Sequence, residues 1–478
     1  MASTVDAKAV DAKAIEQPRR FDPSKVVFYL VTILGLIGAS FSVGLDAGAN
    51  KTKAYFVATG LKAKLLDSLK AASDEASTLA GTHPTHFLQP SRYQGQGVTI
   101  NNPAAQQQEL VLLSGFFKDT NELRLIRRNG DIVARWPIKF DAVFPHPNHM
   151  PAASIPATNW NIDTHGALAL PDGSVVFNFE WGGLVKLDRC GEVLWRVARQ
   201  THHSVVRSQD GGFWVPGRRV IDGPSPFPPF EGPVKEDTVL KISVDGQVQS
   251  EFSVPKLLYD NGLMPVLTAT GSWFWSGMPW DHEIVHLNKI EELSKEMAPA
   301  FPMFEAGDLL LSLRDQNLLL VVDRLGTKVK WWRIGPWLRQ HDPSFTSNGT
   351  IVLFNNNIFE SAFGSDPAAT VAPLSTPRVS NIIEFSPASG TSKVIYGGRP
   401  GQELLSVIRG KVDVTRDHGL LITEFEGGRV LETDAAGRIL WEYVNRYSPT
   451  EVAEISAAHL YTPAFFTSGT WTCSTATE

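Results

Sequence analysis

The chain is poor in cysteine, in basic runs and in long apolar stretches, and each shortage removes a class of function. Its two cysteines are Cys190, in an apparent tight turn, and Cys473, in the C-terminal tail, and there is no CxxC pair. That pattern supports neither a zinc knuckle nor a thioredoxin-like site, and it leaves open whether the two cysteines pair. No block of Lys or Arg stands out and the net charge is −6, so nucleic acid is not an expected partner. With 43% hydrophobic and 20% charged residues the composition is globular, which excludes collagen-like and wholly disordered chains. What the chain has instead is 31 Pro, 39 Gly and 13 Trp, a mix suited to many short strands joined by turns.

The one long apolar run is residues 26–45, VVFYLVTILGLIGASFSVGL, which carries no charge. It has the ~20 residues needed to cross a bilayer as a helix. A cleaved signal peptide ending near Ala47-Gly48-Ala49 is the alternative, but the apolar stretch is longer than a ~7–15-residue signal core. We therefore expect a polar tail over residues 1–25 and a transmembrane helix over 26–45. Lys8, Lys13, Arg19, Arg20 and Lys25 precede the span and Lys51, Lys53, Lys62 and Lys64 follow it, so charge alone gives little orientation. Residues 46–92 are expected as a helical stalk and linker, with Leu61, Leu65 and Leu69 on one helical face. The Pro-containing stretch 82–90 ends it.

From residue 93 to 465 the pattern is strands and turns, followed by a short tail over 466–478. One hairpin recurs: an alternating apolar strand, a turn with Gly, and a second strand that often ends in Trp. Copies lie at 123–136, 184–197, 239–252, 318–334, 382–396 and 429–444. Six copies of one hairpin predict an all-β, six-bladed β-propeller in which each hairpin supplies the outer two strands of a blade.

A second repeat precedes three of the hairpins. His165, His203 and His341 each stand eight residues before a glycine, Gly173, Gly211 and Gly349, in a His–strand–turn–strand pattern. On the innermost strands of several blades, such positions ring one mouth of the central channel. The blade between them carries His286 and, on the neighbouring strand, Arg314. A guanidinium beside several imidazoles makes a site for a tetrahedral oxyanion. His165 fits the spacing, yet it is read as a strand-edge structural residue. His83, His86, His146 and His149 lie in Pro-rich loops and His418 in a turn. His459 is placed to close the ring.

The stretch 309–357, above all GPWLRQHDPSFTSNGTIVLF, resembles the PAPS-independent arylsulfotransferases, as do GVTINNP at 97–103 and RVLETDAAGRILWEYVN at 429–445. The likeness spans residues 94–461. It implies transfer of a sulfuryl group from an aryl sulfate to a phenol, with no cofactor, and an extracytoplasmic domain; the expected membrane anchor departs from the family's secreted enzymes. It implies that His341 of the Gln-His motif is the nucleophile and that His203, His286 and Arg314 complete the catalytic set. His202 of the His-His motif, Asn288 of the HxN motif, and Asn317 are expected to bind substrate. Where the family often has Phe-Asp-Asn, this chain has Phe354-Asn355-Asn356. The implied chemistry suits the residues: a neutral imidazole attacks, and donors hold the developing charge.

Two other readings compete. His282-Glu283-Ile284-Val285-His286 satisfies the HExxH pattern of zinc proteases, with Glu305 as a third ligand, but that pattern works only on a helix. A non-catalytic, anchored propeller serving as a binding scaffold is the other, since fold alone does not dictate function.

Overall fold

A computed structural model describes residues 23–49, 84–268, 282–358 and 380–467, together with 471 and 473. The chain divides into an N-terminal unit and a large second unit. In the first, Pro23–Ala49 is one 27-residue helix, and Val27–Asp46 within it is long and apolar enough to cross a membrane. The expected stalk at 54–80 and most of the polar tail lie outside the described residues.

The second unit holds six four-stranded antiparallel blades with their strands in chain order, apart from the two closures described below. Blade 1 contains Leu110–Phe117, Thr120–Arg127 and Ile132–Ile138; blade 2 contains Thr164–Ala169, Val175–Phe179, Gly183–Leu187 and Val193–Val197. Blade 3 starts from two fragments, Gln200–Thr201 and Val206–Arg207, followed by Phe213–Ile221, Val234–Ile242 and Val248–Ser253. Blade 4 runs from Leu287–Glu292 to Val329–Ile334, blade 5 from His341–Phe345 to Ser392–Tyr396, and blade 6 from Lys411–Val414 to Ile439–Val444. Each of the six expected hairpins forms the third and fourth strands of its blade.

Two closures seal the ring. The last strand, Ile455–Tyr461, returns to pair with Leu110–Phe117 and becomes the innermost strand of blade 1, with His459 opposite Leu112. Near the other end, Gly97–Asn101 adds an outermost fifth strand to blade 6. Residues 84–92, expected as linker, already belong to this body. Leu88–Pro90 pairs with Glu451–Ala453, Phe87 stacks on Phe116, and His86 bonds Asp163 at 2.6 Å.

The core sits between blades. In blade 4, Leu309, Leu311 and Leu313 face blade 3, while Leu310 packs with Ile351 and Leu353 of blade 5. A strand covered on both faces needs apolar residues at successive positions, which is why LLLSL and LLLVV run unbroken. The recurrent tryptophan also has a cause. Trp136, Trp195 and Trp441 each donate their indole N–H to a carbonyl in the outer hairpin turn of the next blade: Asp188, Val244 and Arg128. Phe252 takes the place in blade 3 and lies against Gly326 of blade 4, leaving no room there for a side chain.

The expected C-terminal tail is fastened. Phe466 is buried, Trp471 packs edge-on against Trp136, and Cys473 forms a disulfide with Cys190 in a blade 2 turn.

Candidate active site

Four histidines reach one end of the channel because the blade repeat puts them there. His341 opens the inner strand of blade 5 and His286 immediately precedes that of blade 4. His165 lies on the inner strand of blade 2, and His203 falls between the two inner fragments of blade 3. Gly173, Gly211 and Gly349, eight residues beyond three of them, all have left-handed φ angles of +82°, +91° and +72°, as the turns require. The His203 ring centroid is 4.2 Å from that of His165, 4.8 Å from His286 and 6.1 Å from His341.

This proximity is built into the backbone. His203 adopts φ +54°, uncommon for a residue with a side chain, and its carbonyl accepts Gly166 N–H at 2.8 Å. A side chain at 166 would run into that carbonyl. Asn178 of blade 2 donates to the carbonyls of His202, His203 and Ser204. Arg314 N–H donates to the His286 carbonyl at 2.9 Å, and the Arg314 charge acts on both the His286 and the His341 rings. The Arg314 side chain bonds Asp315 through Nε at 2.9 Å and is partly exposed.

The orientation of His341 follows from its partners. Its Nδ1 lies 2.7 Å from Asn356 Oδ1 and 3.0 Å from the Arg339 carbonyl. Asn356 Nδ2 is occupied in donating to the Ser406 and Arg409 carbonyls, so Oδ1 faces His341. Both contacts are acceptors; Nδ1 therefore carries the proton and Nε2 the lone pair. Nε2 has no hydrogen-bond partner among the described residues. Burial first, then the Arg314 charge, push the His341 imidazolium down to about 3, with Asn356 partly opposing. Gln340 beside it is a buried staple, donating to Ser312 Oγ and to the Leu313 and Leu318 carbonyls.

His202, His203, His286 and Glu283 form a chain of side-chain contacts. His202 Nδ1 is 2.8 Å from His203 Nδ1, His203 Nε2 is 3.2 Å from His286 Nε2, and His286 Nδ1 is 2.6 Å from Glu283 Oε1. Arg218 donates to Glu283 at 2.5 Å and to Asp237 at 2.9 Å. With Glu283 a carboxylate, one assignment satisfies all three links with neutral rings: His286 donates to Glu283, His203 to His286, and His202 to His203. Burial pushes all three imidazoles well below their ordinary range, consistent with that neutral state. Its weak point is the far end, where His202 Nε2 lies 3.4 Å from the Gly217 carbonyl. One further proton entering the chain would turn that contact into a hydrogen bond.

The remaining expected residues hold the frame. Asn288 Nδ2 donates to the Gln340 carbonyl at 2.7 Å, and Asn317 Oδ1 accepts Arg339 N–H at 2.7 Å. Asn355, the departure from the family pattern, uses Oδ1 to accept Leu338 N–H, a task a carboxylate oxygen performs equally. The HExxH segment is not helical: His282 is exposed at φ +69°, and the stretch runs irregularly into the Leu287 strand. Glu305 pairs with Lys330. The helix that a zinc-protease reading requires is therefore missing. Among the described residues, no group of three or more His, Cys, Asp or Glu is arranged to hold a metal ion.

Sequence reasoning missed Asn356, Glu283, Arg218 and Trp181. Trp181 lies between His202, at 3.9 Å, and the Arg218 guanidinium, at 3.5 Å. Beside it opens a cavity of ≈ 310 Å³ lined by Met150, Ile162, Glu180 and Val220. A larger cavity of ≈ 670 Å³ lies around Thr346, Asn348, Asp413 and Arg416, and neither cavity is lined by His203, His286, Arg314 or His341.

Similar solved structures include a protein of unknown function from Bacteroides caccae, at TM-score 0.43 and 12% identity, covering 74% of this chain and 98% of that one. Virginiamycin B lyase from Staphylococcus aureus follows at TM-score 0.38 and 10% identity, covering 75% and 88%. BamB from Moraxella catarrhalis gives TM-score 0.30 and 13% identity, covering 74% and 76%. Likenesses at these scores carry no functional argument. No curated protein matches the chain. The arylsulfotransferase (ASST) family model, by contrast, matches residues 166–446, more than half of the chain and every blade from the second to the sixth. The chain belongs to the arylsulfotransferase family.

Proposed function

We propose that the chain moves a sulfuryl group from a phenolic sulfate ester to a phenol through a sulfate held on His341. The observation that carries this reading is the Nε2 lone pair of His341, left without a partner among the described residues, with the His203 ring 6.1 Å away and Nδ1–H held by Asn356 and Arg339. In the first half-reaction Nε2 attacks sulfur, the S–O bond to the aryl group breaks, and its electron pair leaves on the phenolate oxygen. That oxygen takes a proton from the His286–His203 chain, which gains one extra proton as the anionic donor binds and its charge offsets the burial that keeps the free site neutral. In the second, an acceptor phenol returns the proton, its oxygen attacks sulfur, and the S–N bond breaks back to His341. Protons balance over the cycle, and no nucleotide donor enters.

Arg314 supports the reading as the charge that offsets the sulfuryl oxygens. The N-terminal helix would anchor the propeller to a membrane, with the propeller on the extracytoplasmic side. A reporter fused after Glu478 that works only in the cytoplasm would contradict that placement.

The chemistry is tested by transfer from a chromogenic aryl sulfate to phenol, comparing wild type with His341→Ala. Wild type should turn over and His341→Ala should not, with its fold intact. Quenching wild type with donor but no acceptor should leave one sulfate on His341. A His341→Ala protein as active as wild type would end the proposal.

A further inference from the structure

His165 differs from its neighbours in having nothing to bond. His202, His203 and His286 use both ring nitrogens within the imidazole chain and its two ends, and His341 keeps only Nε2 open. His165 is 2% exposed, and neither Nδ1 nor Nε2 has a hydrogen-bond partner among the described protein groups. Its ring sits 4.2 Å from that of His203, on the inner strand of blade 2, so it belongs to the channel mouth.

A buried polar atom without a partner destabilises a fold, and native structures hold few of them. An isosteric apolar ring would fill the same space without that cost. Arg409 adds a second orphan: its Nη1 is also buried and unpartnered, although its Nη2 bonds both Asp163 and Glu180. Its positive charge acts on His165 and, after burial itself, is the main reason that ring stays neutral. Unused donors and a cationic field together match a ligand rich in oxygen acceptors and negative charge.

Resting on the sulfuryl-transfer reading, we propose that His165 is a substrate contact: its ring N–H donates to an oxygen of the transferred sulfuryl group. His165 becomes the donor on the blade 2 side, while Arg314 serves the blade 4 side. The committed nitrogens of His203 and His286 are then free to pass protons without also having to hold the oxyanion.

The test uses the full chain, with His165→Phe and His165→Ala. Initial rates with a chromogenic aryl sulfate give kcat/KM, competition by inorganic sulfate reports the oxyanion contact, and thermal melting reports the fold. His165→Phe should melt at or above the wild-type temperature, because the orphaned nitrogens are gone. Its kcat/KM should fall roughly 10²–10³-fold, the size of one lost oxyanion donor, and inorganic sulfate should compete more weakly. If the larger ring does not fold, His165→Ala carries the same two expectations, and added imidazole should restore part of its rate. Either folded variant keeping kcat/KM and sulfate competition within about twofold of wild type would overturn the proposal, as would a rate loss with sulfate competition unchanged. The two failures are separable. If His341→Ala is dead while the His165 variants are unaffected, only this inference falls. If wild type transfers no sulfuryl group, the reading beneath it falls first.

Discussion

The depressed imidazolium of His341 makes acid stability the most quantitative test of the site. An unfolded histidine titrates at an ordinary 6.5, whereas His341 in the fold is held to about 3. Between those values the unfolded chain binds a proton that the folded chain refuses, so stability rises with pH across that window. The contribution is fully present above 6.5 and is lost as pH falls toward 3. Each tenfold change in protonation preference is worth 1.36 kcal/mol, which gives a loss of ~2 kcal/mol between pH 7 and pH 5 from this one ring. His165, His202, His203 and His286 are pushed in the same direction by burial, so they add to the effect. A domain's whole stability is only ~5–15 kcal/mol, so unfolding in mild acid is expected. The assay is urea unfolding at pH 7 and pH 5 for wild type and His341→Asn, which keeps an N–H for Asn356 but cannot titrate. The variant should lose ~2 kcal/mol less than wild type on going to pH 5. Equal losses in the two proteins would show that His341 is not a buried neutral base, and the nucleophile assignment would go with it.

Arg314→Ala should lower transfer roughly 10²–10³-fold while leaving the melting temperature nearly unchanged, because its side chain sits at the partly exposed mouth. Gly166→Ala should destabilise the fold by ~1–3 kcal/mol and cut activity together, since the new methyl collides with the His203 carbonyl; thermal melting and initial rates read both. Cys473→Ser should lower stability by roughly 2–5 kcal/mol with kcat unchanged, measured by melting under oxidising conditions, because the disulfide holds the tail remote from the imidazoles. Deleting Pro23–Ala49 should move the protein from the membrane pellet to the supernatant on fractionation.

The outer hairpins were readable because their signals are local: alternation within each strand, a turn glycine, and a Trp that latches the next blade. The histidine register was readable for the same reason, since eight residues from His to turn glycine is one strand and its turn. Pairing across the ring was less accessible. His459 suggested closure, but nothing local in Ile455–Tyr461 names Leu110–Phe117 as its neighbour. The site divided along the same line. His203 and His341 follow from the repeat and His286 from its place in the blade between them, whereas Glu283, Arg218 and Asn356 act across loops whose spacing carries no periodic signal. Glu283 appeared only through the HExxH coincidence. In the irregular segment before Leu287 it reaches His286 three residues on without any helix. For His165 the spacing alone does not separate a structural ring from a working one, and the lack of any partner for its nitrogens among the described residues is visible only in three dimensions.

The strand that completes blade 1 is also the last of the blade strands to be synthesised. Until Ile455–Tyr461 emerges, Leu110–Phe117 exposes an unpaired edge while five blades wait behind it. A nascent chain that is threaded across a membrane would therefore arrive as an open arc, and it would become a ring only at the end of its journey. That timing makes premature termination costly: a product lacking the final 24 residues would keep His165, His202, His203, His286 and His341 but lose the inner strand of the first blade, and the ring would stay open. The disulfide from Cys473 to Cys190 comes later still, so oxidation would record that closure has taken place.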